Sequence, residues 1–158
     1  MKTLDQEVAT GRFRSLTGFY MWPLRVATTI LVFLAVNQAF NFHFFLGYTL
    51  LSNKYMYSIL IIVIPSIFVL IPFSSSGSKL AVPKVDLILV LLSVIILSWF
   101  IANSYDMMAN GWELAAPKHA QYFSIALWFI VFEASRRSGG LGLAIIVGLI
   151  SLYPLFAE

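Results

Sequence analysis

The sequence predicts an all-α membrane protein of four to five transmembrane helices with a cytoplasmic N-terminus, and three observations carry that prediction. Of 158 residues, 60% are apolar and only 11% are charged, where a soluble domain carries about 25% charged residues. Mean hydropathy is +0.89, which excludes disorder, since disordered chains are polar and charged. The apolar residues also come in long runs. A helical crossing needs about 20 residues, so 158 residues with short loops hold four or five.

Residues 1–21 form a cytoplasmic or interfacial N-terminal segment with Lys2, Asp5, Glu7, Arg12 and Arg14. It lacks the apolar stretch of a cleaved signal peptide. Phe13, Leu16, Phe19 and Tyr20 follow Arg12 at roughly helical spacing. Both a short helix lying in the interface and a frayed tail fit that pattern.

Residues 22–137 read as a four-helix membrane domain. The first span covers 23–46, with Pro23 in the first turn, where a missing N–H costs nothing. Trp22 sits at headgroup depth, and Arg25 reaches back to the same interface. Asn37, Gln38, Asn41 and His43 make the far half of this span polar. Asn37 and Asn41 are four apart and share a face, and in lipid such amides seek partners on another helix.

The second span covers 55–73 without a charge, and Pro65 kinks it near the middle; neighbouring helices or Ser66 would satisfy the freed carbonyl. A Ser- and Gly-rich turn follows. The third span covers 85–103, with Asp86 favouring the positive N-terminal end of its helix. Trp99 and Tyr105 mark its exit, and residues 106–118 form a longer polar loop. The fourth span, 119–134, is short for a crossing unless its helix begins in the loop, just after Pro117. Glu133 precedes Arg136 and Arg137 by three and four residues, so one helical face pairs them.

Residues 138–158 form a fifth, linking transmembrane helix whose apolar part is 141–156. The basic turn "SRRSGG" ahead of it ends one helix and opens the next. Gly140, Ala144 and Gly148 recur every four residues, a stripe that permits close backbone packing with another helix.

Charge counting sets the orientation. With the N-terminus inside, Lys2, Arg12, Arg14, Arg25, Lys79, Lys84, Arg136 and Arg137 are all cytoplasmic. Only Lys54 and Lys118 face outward. The basic residues are too few and too dispersed for a nucleic-acid footprint, so no nucleic-acid partner is expected.

Chemistry-bearing patterns are sparse. Cysteine is absent, which excludes disulfides, thiolate metal sites and a cysteine nucleophile. No Gly-x-Ser-x-Gly, His-Glu-x-x-His or Walker loop occurs, and two histidines are too few for a zinc site. No enzyme activity, catalytic residue, metal or cofactor is expected. His43 and His119 fall near one membrane face, which keeps a membrane-anchor cytochrome-type redox subunit with axial haem ligation as one alternative. A self-contained small transporter is another. Its weakness is that no internal repeat is visible.

The segment "YFSIALWFIVFEASRRSGGLGLAIIVGLISLYPLF" resembles the small-subunit region of tripartite ATP-independent periplasmic (TRAP) transporters, particularly the TAXI-type branch with fused permeases. Glu133, Ala134, Ser135, Arg136 and Arg137 match the family's Glu-Ala-Thr-Arg-Arg helix end, with Ser for Thr. Gly139, Gly140, Leu152 and Tyr153 fit the glycine-bearing turn and the apolar helix after it. The loop "MMANGWELAAPKHAQ" is only loosely similar. The large permease part does not occur in this chain, which is either a separate small subunit or one piece of a fusion.

The resemblance implies a sodium-driven symport system for organic acids in a bacterial inner membrane. Its implied partners are a large multi-span permease subunit, a periplasmic substrate-binding protein and membrane lipids. Sodium ions belong to the permease, and this chain serves as the scaffold subunit. Candidate partner or lipid contacts are Trp22, Arg25, Asn37, Asn41, Glu133, Arg136, Arg137, Gly140, Ala144 and Gly148.

Overall fold

The computed structural model describes residues 21–40, 42, 51–73, 83–112 and 114–152. It is all-helical there: α1 (Met21–Phe40), α2 (Ser52–Leu70), α3 (Lys84–Ala102), the short α4 (Ser104–Ala109) and α5 (Lys118–Leu152). Four of these, α1, α2, α3 and α5, are long and apolar enough to cross a membrane. The protein is therefore an all-α membrane protein. The N-terminal segment 1–20, Asn41, His43, the 74–82 turn and residues 153–158 lie outside the described residues.

In α2, Pro65 sits inside the helix. A proline there removes one backbone hydrogen bond, to the carbonyl four residues back. Ser66 does not fill that place. Its hydroxyl donates to its own preceding-turn carbonyl, Ile62 O, at 2.7 Å, the back-bonding geometry a helical serine reaches most easily.

The chain after α3 is more ordered than a polar loop. The Asn103 side chain donates to Trp99 O at 2.8 Å and α4 begins at the next residue. Gly111 then stops α4 with a positive φ of 61°, while Trp112 N–H reaches back to Met107 O at 3.0 Å. A left-handed glycine followed by that long return bond is the Schellman helix stop.

The helix α5 starts directly after Pro117. It is interrupted at Gly140, with φ 79° and ψ −174°, a backbone region open essentially to glycine alone. Two contacts show what the interruption does. Trp128 Nε1 donates to Ser151 Oγ at 2.7 Å, and a Cβ added to Gly148 would lie 3.3 Å from the Phe132 ring. Both join residues spaced evenly about Gly140, so the chain reverses there into two antiparallel arms. The basic residues expected in the turn belong to the first arm's helix, and the turn itself narrows to Gly140. The arm 118–139 is about 33 Å long at 1.5 Å per residue, which spans a hydrocarbon core of about 30 Å. The described part of the second arm, 141–152, reaches roughly 18 Å.

The core joins three helices. Ile64 and Phe68 of α2, Ile96, Leu97 and Phe100 of α3, and Ile130 and Ala134 of α5 are buried against one another. Among the described elements α1 packs only on α2, and it buries no residue.

Candidate functional site: a buried charge cluster at one end of the bundle

Three helix ends converge on Arg137. Ile71 follows α2, Asp86 lies in the first turn of α3, and Arg137 ends the first arm of α5. The side chains of Arg137 and Asp86 are 1% and 0% exposed. Arg137 Nη1 donates to Asp86 Oδ1 at 2.9 Å and to Ile71 O at 3.3 Å. Its Nε donates to Glu133 Oε1 at 2.7 Å. Glu133 in turn holds Arg136 as a bidentate pair, with Nε to Oε2 and Nη2 to Oε1 both at 2.8 Å. That planar fork is a geometry only arginine offers a carboxylate.

Aromatic rings close the cluster. The Arg137 guanidinium lies over Phe68 at 4.9 Å and Phe73 at 5.4 Å, and Arg136 lies over Phe73 at 4.7 Å. Such cation–π contacts strengthen when water is excluded. Two carboxylates and two guanidiniums leave the cluster neutral. Arg137 Nη2 is buried with no hydrogen-bond partner among the described residues.

This geometry ties helices together. Removing one member of a buried ion pair leaves an uncompensated charge and costs about 3–5 kcal/mol. Among the described residues no three His, Asp or Glu groups converge to hold a metal ion.

The opposite end of the bundle is aromatic. Trp99 stacks on Phe123 at 4.6 Å and on Trp112 at 6.1 Å, and Tyr57 stacks on Phe100 at 5.0 Å. His119 meets Trp99 and Trp112 edge-on at 5.6 and 6.0 Å. Trp99 thus binds α3 to the start of α5, while Tyr105 remains exposed.

The residues singled out from sequence fall in three places. Glu133, Arg136 and Arg137 form the local pairs that their spacing predicts. Asp86 lies in the first turn of α3, as expected; the cap itself is Pro83, without a side-chain cap bond, and the structure adds that the carboxylate turns inward to Arg137. An inward charge finds a fixed counterion 51 positions away, which stabilises it more than a solvated helix end. The signal for this contact was present, since a lone carboxylate inside an apolar run needs a partner.

Gly140 makes the reversal, Gly148 faces Phe132 of the first arm inside the chain's own hairpin, and Ala144, one turn earlier, is buried. Trp22 and Arg25 lie exposed on α1, and Asn37 is half-buried. Asn41, the other half of the expected amide face, lies outside the described residues, as does His43.

No family model matches the chain, and neither a curated protein nor a solved structure matches it.

Proposed function

We propose that this chain is the small membrane subunit of a sodium-driven TRAP-type transporter for organic acids. It sits in a bacterial inner membrane and braces a large permease subunit, which receives solute from a periplasmic binding protein. One observation carries the proposal. The buried charges of the described helices are engaged with one another in a closed cluster at one edge of the bundle. A solute path draws on ionisable groups facing a cavity or each other across the membrane. A cluster that fixes three helix ends suits a rigid support. The Glu133–Arg137 segment, where the family resemblance lies, supplies three of its four charges.

The test is reconstitution. Proteoliposomes holding this chain alone take up no organic acid under a sodium gradient. Co-expression with a large permease gives a stoichiometric complex that does. Uptake by the chain alone contradicts the proposal, and so does failure of any such permease to co-purify.

A further inference from the structure

The helix α1 leans on α2 without interlocking with it. Leu24 and Leu31 of α1, with Val63, Ile67 and Leu70 of α2, line a groove of about 410 Å³. Thr28 and Ser66 also line it, but their hydroxyls donate to Leu24 O at 2.9 Å and to Ile62 O at 2.7 Å, so the walls behave as apolar. Arg25 stands at one end of the groove, beside Met21 and Leu70. Leu70 precedes Ile71, whose carbonyl receives Arg137, so Arg25 lies at the same end of the bundle as the charge cluster. The contrast with that cluster is sharp. Arg136 and Arg137 are held by carboxylates, whereas Arg25 is exposed and has no partner among the described residues. Its donors stand at the membrane edge, at the head of an apolar channel running inward.

We propose that the α1–α2 groove binds one anionic phospholipid, with the phosphate on Arg25 and one acyl chain along Leu24, Leu31, Val63 and Ile67. Charge selects the occupant. The described part of α1 carries no carboxylate to neutralise Arg25, and a zwitterionic headgroup brings a cation of its own. A cationic residue near a membrane surface favours anionic lipid by about 1 kcal/mol, roughly a fivefold preference. The site is independent of the transporter proposal, because it needs only this chain and a bilayer.

Native mass spectrometry of the purified full chain, titrated with dioleoyl phosphatidylglycerol or dioleoyl phosphatidylcholine, tests it. Wild type retains one phosphatidylglycerol about fivefold better than phosphatidylcholine. Arg25→Gln abolishes the preference, and Arg25→Lys keeps most of it. Ala27→Phe, which fills the groove, lowers retention of both lipids. Leu149→Phe, on an exposed face of α5, changes neither. Circular dichroism verifies that each variant is folded. Inorganic phosphate at millimolar concentration does not displace the lipid. Equal retention of the two lipids by wild type overturns the site, as does an unchanged preference in Arg25→Gln. Displacement by phosphate alone, or a second copy of the chain in place of lipid, overturns it too.

Discussion

The helices α1 and α3 are nearly equal in length, at 20 and 19 residues, yet they occupy opposite environments. The most apolar of the four spans is α3, and it buries Asp86, Ser93, Ile96, Leu97 and Phe100. The less apolar α1 buries nothing. In water this order would follow from the hydrophobic effect. In lipid it does not, because the tails are as apolar as leucine and give helices no apolar reason to associate. What α3 has and α1 lacks is a set of specific attachments. Asp86 anchors one end to Arg137. At the other, Phe100 stacks on Tyr57 and Trp99 on Phe123. The lesson is that burial here follows specific contacts rather than hydropathy.

Removing the anchor breaks the comparison most severely. Asp86→Leu leaves Arg137 buried without its counterion and lowers stability by about 3–5 kcal/mol. Denaturation in mixed micelles, followed by tryptophan fluorescence, measures this. The matching change on α1, Arg25→Leu, leaves the transition in lipid-free detergent where it was. Equal losses in the two variants would remove the distinction between the helices.

The α5 hairpin comes next. Gly140→Ala places a side chain where φ is 79° and costs about 1–3 kcal/mol. Gly148→Leu drives a side chain into the Phe132 ring, 3.3 Å from where even a Cβ would sit, with a similar cost of about 1–3 kcal/mol. Both losses occur with the chain alone in detergent, because the hairpin is internal. If Gly148→Leu is harmless to the isolated chain, the two arms do not pack as described.

The smallest effect is expected at Ser151→Ala. It takes the acceptor from Trp128 Nε1 and costs about 1 kcal/mol. A shift in the emission of the tryptophan region, with little change in the transition midpoint, is the outcome that agrees.

Much of this fold was legible in the sequence because membrane spans announce themselves through length and composition. The Glu133–Arg136–Arg137 pairs were legible for a similar reason: three and four residues is one helical turn. A start of α5 just after Pro117 was legible only as a condition of length, because 119–134 alone is short for a crossing. The Asp86–Arg137 pair was not read, since spacing within a helix says nothing about which helix lies opposite. The small-residue stripe was read as a packing face, but its partner, the first arm of the same helix pair, depends on the reversal at Gly140. Helix α4 was missed because its six residues carry mixed polarity and no period to follow. The Asn37 and Asn41 amides made a reasonable contact face on paper, and only Asn37 falls among the described residues.

A double-mutant cycle on Asp86 and Arg137 tests most directly whether the buried charges act as a closed structural clasp. Asp86→Leu and Arg137→Leu are each expected to cost about 3–5 kcal/mol, while the double variant, with Glu133 still held by Arg136, returns close to wild-type stability. Losses that simply add in the double variant would contradict the clasp and leave the two residues with separate roles.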